Sequence, residues 1–253
     1  MDCTEKRLIK RYTKGGFEEV EDLLAVESRL SISVNGQELI SIYCTPLMVR
    51  ELAVGLIMTE GLADGLCTER MSIVYGEDGV RVEAHAEGEV KKGGGTVTSG
   101  CVGGMTFEKK HSSTLRGDPF SIAAGKLTAL FGRFQKRSDM YNTTGCIHSA
   151  ALSDGEDIIA FAEDIGRHNA VDKVIGYAIM EGMDFRGKLM MASGRLSSEI
   201  VGKCSRWGIP MVVSRAAPTA LAVRIAEESG MTAVGFLRGE RFNLYSHPHR
   251  ITP

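Results

Sequence analysis

The sequence predicts an α/β fold with an α+β N-terminal part, and three observations support that prediction. In the second half of the chain, short apolar runs of strand length alternate with segments of helical periodicity. In the first half, segments of alternating polarity flank Gly-containing turns that are typical of β-hairpins. The chain has 253 residues, of which 43% are hydrophobic and 25% are charged, so it can bury a core in one large domain or two smaller ones.

Composition argues against several classes of partner and site. The formal net charge is −2, so no overall basic field argues for nucleic acid. No apolar run is long enough to span a bilayer, and the N-terminus lacks the apolar core of a signal peptide. The six cysteines are scattered without a C-x-x-C pair, which indicates neither a zinc knuckle nor a disulfide framework. We therefore expect a cytoplasmic protein with reduced thiols, no nucleic-acid partner and no membrane partner.

The N-terminal region is predicted to hold a hairpin and a helix. Residues 1–20 are charged and unpatterned, which predicts a mobile arm or an edge strand. Alternating residues over 30–43, interrupted by the Asn-Gly pair at 35–36, predict a β-hairpin. Thr45 precedes a proline and is typical of an N-cap, so a helix is expected to begin there and to end at Gly61. We expect this helix to pack on the hairpin.

A second hairpin is predicted over residues 72–84, and a long Gly-rich segment follows it at 87–107. This segment has no apolar period, so it predicts a flexible loop that ends an N-terminal domain of residues 1–107. Cys101 lies in the loop among glycines, where no neighbouring side chain supplies a core. An accessible, mobile thiol suits a nucleophile that visits two partners, and an incidental loop thiol is the alternative.

Residues 108–253 are predicted to form an α/β domain whose first elements are a helix and a strand. The helix is amphipathic and lies around residues 127–134. After a turn at 143–145, residues 146–152 are expected to form a strand. His148 on that strand is expected to be a hydrogen-bonded core histidine.

The most informative segment is FAEDIGRHNAVDK, residues 161–173. An apolar run at 158–162 predicts a buried strand, and apolar residues at helical spacing from Ala170 onward predict a helix. The turn between them holds five polar residues: Glu163, Asp164, Arg167, His168 and Asn169. One interpretation is a capping network with Asp164 or Asn169 at the helix start, and the other is a ligand site.

Two further strand–turn–helix units have their turns at 193–198 and 214–219, and a last strand leads into a polar turn at 236–241. Three such units in succession predict a largely parallel sheet with right-handed crossovers. Because the carboxyl ends of parallel strands meet at one edge, these turns and the one at 163–169 are expected to converge. Helix N-termini and arginines at this edge favour the phosphate of a nucleotide-like ligand, although no P-loop and no Rossmann glycine motif is present.

Six segments of the sequence are similar to a known family. They read EDIGRHNAVDKVIG (163–176), SGRLSSEIVGK (193–203), SRAAPTALAV (214–223), GFLRGERFNLY (235–245), TGCIHSAAL (144–152) and TPLMVRELAVGLIMTEGL (45–62). Together they resemble the FdhD family, the formate dehydrogenase accessory sulfurtransferases. The resemblance covers residues 30–251, and the ordered blocks are more specific than any one motif.

The resemblance implies a cytoplasmic sulfur carrier that acts as a homodimer. The family takes persulfide sulfur from a cysteine desulfurase and delivers it to the molybdenum bis-molybdopterin guanine dinucleotide cofactor of the formate dehydrogenase apoenzyme. The implied fold is a cytidine-deaminase-like three-layer core with a mixed sheet, plus a smaller N-terminal hairpin-helix domain. The family's persulfide cysteine falls on Cys101.

The resemblance also implies a site for a guanine-nucleotide-like ligand. The family's cofactor-binding segment near the C-terminus falls on Phe236, Leu237, Arg238, Gly239, Glu240 and Arg241. The other residues that we expect at this site are Thr144, His148, Asp164, Arg167, His168, Asn169, Ser193, Arg195, Ser214 and Thr219. His148 or His168 is expected to activate the thiol or to carry a proton.

One departure from the family pattern concerns the thiols. Many members carry C-x-x-C in the loop, whereas this sequence has Gly104 in place of the second cysteine, so a resolving thiol beside Cys101 is absent. One thiolate suffices to accept and hold sulfur, and Cys146 is a candidate second thiol. The H-x-E and P-C-x-x-C motifs of zinc deaminases are absent, so no zinc is predicted. A chaperone that binds the cofactor without covalent chemistry is the alternative function.

Overall fold

The computed structural model describes residues 2–91 and 113–253. Cys101 and the predicted domain boundary between residues 107 and 108 lie outside the described residues. Within the described ranges, the chain forms a two-stranded ribbon, a four-stranded sheet, a six-stranded sheet and a short strand pair.

The chain begins with an antiparallel ribbon of two strands, β1 (Thr4–Thr13) and β2 (Gly16–Ala25). The structure therefore contains a hairpin where sequence analysis predicted a mobile arm or an edge strand. Charged residues dominate both strands, so they hide the alternation of the few apolar residues that a hairpin prediction depends on.

The next four strands are β3 (Ser28–Val34), β4 (Gln37–Cys44), β5 (Leu66–Gly76) and β6 (Gly79–Ala86). Both predicted hairpins are confirmed, because β3–β4 and β5–β6 pair antiparallel. A parallel pairing of β3 with β6 joins them into one sheet. At the Asn-Gly turn, φ is 51° and 78°, the positive values that a two-residue hairpin turn requires.

Helix α1 (Val49–Glu60) packs on this sheet and shares a buried apolar core with its strands. The helix ends as predicted at Gly61, which has a φ of 60°. It does not begin at Thr45, so that prediction was wrong. The hydroxyl of Thr45 accepts a hydrogen bond from the amide of Ile165 at 3.1 Å, so Thr45 binds the second half of the chain instead of capping α1.

A short 3₁₀ helix at Ser113–Gly117 opens the second described range. The elements that follow are β7 (Ile122–Ala123), α2 (Ala124–Lys136), α3 (Asp139–Thr144), β8 (His148–Ser153), β9 (Ile158–Asp164), α4 (Arg167–Met180), β10 (Leu189–Ala192), α5 (Ser198–Arg206), β11 (Met211–Ser214), α6 (Ala220–Ser229), β12 (Thr232–Arg238), β13 (Arg241–Ser246) and β14 (Ile251–Thr252). The helix predicted around 127–134 is confirmed as α2. The turn predicted at 143–145 is instead the end of α3.

The six-stranded sheet has the order β13-β12-β11-β10-β8-β9. Two neighbouring pairs are parallel, β10–β11 and β11–β12, whereas β8 is antiparallel to both β9 and β10. The sheet is therefore mixed, as the family resemblance implied. The largely parallel sheet predicted from the strand–helix units was wrong, because β8 and β9 form a hairpin that enters the sheet beside β10. Because β8 is antiparallel to both of its neighbours, β9 and β10 run in the same direction. The four strands β9, β10, β11 and β12 therefore end at one edge of the sheet, where β8 begins.

Helices cover both faces of the six-stranded sheet. Helices α4, α5 and α6 share one apolar core with the sheet, and α2 shares another with its opposite face. The second half thus has three layers, while its likeness to cytidine deaminases stays a prediction. None of the helices in the two described ranges is both long and apolar enough to cross a membrane.

Helices α1 and α4 join the two halves of the chain at a close backbone crossing. A Cβ atom on Gly55 would lie 1.9 Å from the carbonyl oxygen of Asp172, and one on Gly176 would lie 1.9 Å from that of Glu51. No side chain fits such distances, so glycine is required at both positions. The two helices therefore touch through their backbones.

Buried charges lie beside this crossing, which we call the α1–α4 junction. The ammonium group of Lys203 is 2.6 Å from a carboxylate oxygen of Asp172 and 2.9 Å from one of Glu60. The hydroxyl of Thr59 donates to Asp172 at 2.8 Å. Burial opposes the charge of Lys203, but the two carboxylates outweigh burial and raise its pKa.

Candidate functional site

The loops at the carboxyl edge of the sheet hydrogen-bond to one another. The amide of Ser193 donates to the carbonyl of Ser149 at 2.9 Å, which joins the loop after β10 to the start of β8. The loop after β10 also pairs with the loop after β11, because the amide of Leu196 donates to Ala217 at 3.1 Å. The predicted convergence of these loops is confirmed by these contacts.

A cavity of about 500 Å³ opens at this edge between α2, α3 and the start of β8. Two of the residues predicted from sequence line it, His148 and Ser193. Arg215, which follows β11, and Cys146 also line it. The cavity therefore brings together an imidazole, a hydroxyl, a guanidinium and a thiol.

His148 occupies the wall of this cavity in a half-buried position. Its Nδ1 atom is 3.2 Å from the hydroxyl of Ser193, and that hydroxyl accepts a hydrogen bond from the amide of Ser149 at 2.9 Å. Burial and then the charge of Arg167 lower the pKa of His148 below its ordinary value of 6.5. The imidazole is therefore neutral at pH 7. Sequence analysis expected His148 to lie in the core, but it is only half-buried.

Arg167 is the first residue of α4, and its side chain approaches the loop after β10. A Cβ atom on Gly194 would lie 3.0 Å from the Cβ of Arg167 and 3.3 Å from the ring of His148. Among the residues that the structure describes, the buried Nε of Arg167 has no hydrogen-bond partner. A buried guanidinium nitrogen without a partner is available to an anionic oxygen of a ligand.

His168 is held by two residues near the start of α5. Its Nε2 atom is 2.9 Å from a carboxylate oxygen of Glu199 and 2.9 Å from the hydroxyl of Ser197. The hydrogen bond from His168 lowers the pKa of Glu199. Sequence analysis did not single out Glu199; its place in the first turn of a helix at the predicted edge is the signal that indicates it.

Asp164 and Asn169 are buried at the contact with the N-terminal part rather than at the cavity. Asp164 forms an ion pair with Lys173 at 2.7 Å and accepts from the amide of Thr45 at 3.1 Å. Asn169 donates to Asp164 at 2.9 Å and to the carbonyl of Tyr43 at 2.9 Å. Neither caps α4, whose N-cap has no side-chain hydrogen bond, so that prediction was wrong.

The hydroxyls of Ser214 and Thr219, which were predicted to lie at the ligand site, form hydrogen bonds with backbone groups of the nearby loops and helix. Ser214 donates to the carbonyl of Gly194 at 2.6 Å and accepts from the amide of Ala216 at 3.0 Å. Thr219 is the N-cap of α6 and accepts from the amide of Ala222 at 3.2 Å. Arg195, which precedes Leu196 in the same set of loops, is exposed.

The segment from Phe236 to Arg241 lies at the end of β12 and the turn into β13. β12 runs on to Arg238, so the turn itself is shorter than predicted and consists of Gly239 and Glu240. Phe236 has a φ of 53°, which is uncommon for an aromatic residue, and its amide donates to Ala216 at 3.1 Å. Gly239 and Glu240 line a different cavity, of about 620 Å³, beside the start of α2.

Cys146 lines the first cavity, and Thr144 lies two residues before it in the chain, outside the cavity lining. The hydroxyl of Thr144 donates to the carbonyl of Met140 at 2.7 Å and accepts from the amide of Cys146 at 3.3 Å. Cys146 is exposed, whereas burial raises the pKa values of Cys44 and Cys204 to about 12. Cys146 is thus the exposed thiol among the five cysteines that the structure describes.

A chain of hydroxyls that sequence analysis missed backs the cavity. Ser138 donates to Glu163, and the hydroxyls of Ser138 and Ser149 are 3.0 Å apart. No group of three or more potential metal ligands occurs in the part of the chain that the structure describes. The described edge thus combines hydroxyls, imidazoles and arginines with the carboxylates of Glu163 and Glu199 and the thiol of Cys146.

Comparison with known proteins places the chain among curated relatives over its whole length. It is 35% identical over 261 residues to the sulfur carrier protein FdhD of Listeria monocytogenes, with complete coverage of both chains (100% each). It is 35% identical over 259 residues to the protein of that name in Bacillus subtilis, covering 98% of this chain and 97% of that one.

A solved structure agrees with the observed fold. The chain matches a crystal structure from Desulfotalea psychrophila, described as a formate dehydrogenase accessory protein, with a TM-score of 0.79 and 25% identity over 99% of this chain and 100% of that one. The family model for the FdhD/NarQ family matches residues 25–252. The chain belongs to the FdhD/NarQ family.

Proposed function

We propose that this protein is a cytoplasmic sulfur carrier for formate dehydrogenase. In this proposal it takes persulfide sulfur from a cysteine desulfurase, holds it on Cys101 and delivers it to the molybdenum bis-molybdopterin guanine dinucleotide cofactor of the apoenzyme. The protein acts as a homodimer. The observation that carries the proposal is the similarity to sulfur carrier proteins along the entire chain.

The first step is a thiol–persulfide exchange. The thiolate of Cys101 attacks the outer sulfur of a persulfide on the desulfurase. A new S–S bond forms on Cys101, the S–S bond of the donor breaks, and the donor cysteine leaves as a thiolate. One thiol is enough for this step, so the glycine at position 104 does not prevent it.

The client cofactor carries guanine nucleotide groups, and the described edge fits their phosphates. The buried Nε of Arg167 has no hydrogen-bond partner within the described ranges, and Arg215 lines the cavity. A phosphate oxygen accepts hydrogen bonds from guanidinium groups in a geometry that few other side chains match. We assign Arg167 and Arg215 to the phosphates and His148 to the cavity wall where a proton is taken up or released.

The proposed role of His148 follows from its protonation state. A neutral imidazole accepts a proton from a thiol that enters the cavity, and it returns that proton when the sulfur leaves. The hydroxyl of Ser193 holds Nδ1 at 3.2 Å and so sets the orientation of the ring. Ser193 is therefore proposed to position His148 instead of binding the ligand.

A mass-spectrometric experiment tests the sulfur-carrier function. The protein is incubated with a cysteine desulfurase and cysteine, and the added sulfur is mapped by intact and peptide mass spectrometry. We expect one extra sulfur atom on the peptide that contains Cys101, its loss in Cys101→Ala, and its retention in the matched variant Cys146→Ala. Sulfur that persists in Cys101→Ala contradicts the assignment of the acceptor.

The second candidate is a chaperone that binds the cofactor without covalent chemistry. It is favoured by Gly104, which replaces the second cysteine of the loop, and by the guanidinium groups at the edge. The two functions differ in one measurement on Cys101→Ala. If that variant binds guanosine diphosphate normally but no longer restores formate dehydrogenase activity, sulfur transfer is the function; if it restores activity, the chaperone is.

A further inference from the structure

The β1–β2 ribbon exposes apolar side chains on one face. Side chains alternate along a strand, so the register places five residues of each strand on that face. We call it the outer face, and its residues are Thr4, Lys6, Leu8, Lys10, Tyr12, Phe17, Glu19, Glu21, Leu23 and Ala25. Leu8 is 71% exposed, Tyr12 69% and Phe17 76%, whereas on the opposite face Ile9 and Val20 are half-buried and Leu24 is 45% exposed.

The ribbon separates its charges by strand. β1 is basic, with Lys6, Arg7, Lys10 and Arg11. β2 is acidic, with Glu18, Glu19, Glu21 and Asp22. On the outer face, two lysines of one strand therefore lie next to two glutamates of the other, with Tyr12 directly opposite Phe17 at the turn.

A ribbon of two strands is only marginally stable in water by itself, and exposed large apolar side chains set among charges of both signs indicate a binding surface. We propose that the outer face binds the outer face of a second copy of this chain, with β1 of each copy lying against β2 of the other. This inference rests on the homodimer that is part of the function proposed above. What it adds is the interface, which is the outer face of the β1–β2 ribbon.

Charge complementarity selects both the partner and the arrangement. A two-fold interface brings the same patch of both copies together. If like strands faced each other, Lys6 and Lys10 would oppose the lysines of the partner, which disfavours association. In the crossed arrangement, the lysines of each copy face glutamates of the other, and the aromatic pair at the turn stacks on its counterpart.

The ribbon adjoins the candidate site. β2 packs against α3, and Tyr141 and Asn142 of α3 line the cavity that contains His148. A second copy bound to the ribbon is therefore held next to the mouth of the cavity. Helix α3 therefore contacts both the ribbon and the cavity.

Charge reversal tests the crossed arrangement. One variant is Lys6→Glu/Lys10→Glu and the other is Glu19→Lys/Glu21→Lys, and sedimentation velocity measures the dissociation constant of the full chain. Each variant alone brings like charges together in the crossed arrangement, so we expect its dissociation constant to rise at least about tenfold. An equimolar mixture of the two restores every crossed pair, so we expect heterodimers with close to wild-type affinity.

The mixture separates the interface from the fold of the ribbon. Lys6 forms an ion pair with Glu21 of its own strand partner at 2.6 Å, and both variants break that pair in every chain. Restoration on mixing therefore reports contacts between copies alone. The combined four-residue variant restores both kinds of pair, and we expect it to dimerise alone.

Three outcomes overturn the inference. If wild-type protein is a monomer at micromolar concentration, both the ribbon interface and the proposed homodimer fail. If wild-type protein is a dimer and neither variant weakens it, the ribbon is not the interface, although the dimer stands. If both variants weaken the dimer but the mixture does not restore it, the crossed arrangement is wrong. The sulfur-mapping experiment is read separately and tests the sulfur-carrier function alone.

Discussion

Polar side chains lie in two regions of the second half of the chain, and the regions differ in whether those side chains have hydrogen-bond partners. At the α1–α4 junction, Asp172 and Lys173 are buried, and both have charged or polar partners from other elements. At the edge of the six-stranded sheet, His148 lines the cavity, and the buried Nε of Arg167, whose side chain approaches Gly194 beside His148, lacks a partner within the described ranges. A dense group of polar residues therefore does not by itself indicate a ligand site; unused hydrogen-bonding capacity does.

The largest expected effect is at the junction. Replacing Lys203 with methionine leaves the buried carboxylate of Asp172 and the half-buried carboxylate of Glu60 without their cation, and this costs about 3–5 kcal/mol of unfolding free energy. Urea denaturation at pH 7 measures the change. Lys136→Met removes an exposed lysine at the end of α2 and is the control, with an expected change within about 0.5 kcal/mol.

The pH dependence sharpens this prediction. Burial raises the pKa of Asp172, and Lys203 is the main group that opposes this rise; without Lys203 only the hydrogen bond from Thr59 opposes it. A carboxyl group with a higher pKa in the folded state takes up a proton on folding, so its penalty is largest above that pKa and disappears as the pH falls. The difference between Lys203→Met and wild type should therefore shrink from pH 7 to pH 5. A constant difference would contradict a buried, uncompensated carboxylate.

The next largest effect is expected at the cavity, in activity instead of stability. His148→Ala removes the proposed proton carrier and should slow sulfur transfer about 100-fold. Because burial and Arg167 lower the pKa of His148, wild-type activity should be constant around pH 7 and fall only as the pH drops below 6.5. The variant should lose this acid limb. His249, whose pKa is also lowered but which is exposed outside the cavity, provides the control His249→Ala.

A smaller effect is expected on ligand binding. Arg167→Lys keeps the positive charge but removes Nε, so binding of guanosine diphosphate should weaken by about tenfold, measured by isothermal titration calorimetry. Arg186→Lys changes a fully exposed arginine that pairs with Asp184, and it should bind as wild type does. Equal affinity of both variants would show that the free Nε is not a phosphate contact.

The smallest effect distinguishes a loop-shaping residue from a ligand-binding one. Thr219 was predicted to bind the ligand, but its hydroxyl caps α6. Thr219→Ala should therefore lower the unfolding free energy by about 1 kcal/mol and leave the affinity for guanosine diphosphate unchanged. A loss of affinity without a loss of stability would return Thr219 to the site.

Local signals explain which parts of the fold were predictable. The Asn-Gly turn, the terminal Gly61 and the apolar period of α2 act within a few residues, so sequence alone locates them. The insertion of β8 beside β10 depends on pairing between distant strands, and no short pattern encodes it. This is why the edge was predicted correctly but the sheet was predicted to be more parallel than it is.

The candidate site was harder to predict because both regions draw on one stretch of sequence. Asn169, Asp172, Lys173 and Gly176 recur at the spacing of one helix face, and the contacts of this face are with the N-terminal part. This spacing of three polar residues and a glycine on one helix face is a sequence signal that assigns them to a packing contact, whereas Arg167 lies outside that spacing. Cys146 was named in the sequence only as a candidate second thiol, and Glu199 was indicated only by its place in the first turn of α5; the folded chain shows that Cys146 lines the cavity and that Glu199 pairs with His168.

The backbone contact between α1 and α4 has a consequence for how the protein unfolds. Gly55 and Gly176 each touch a carbonyl of the opposite helix, and Lys203 balances charges from both halves. If the N-terminal half unfolded alone, Lys203 would lose Glu60, and if the second half unfolded alone, Glu60 would lose Lys203. The two sheets are therefore expected to melt in one cooperative transition, so the boundary in the sequence does not divide the protein thermodynamically.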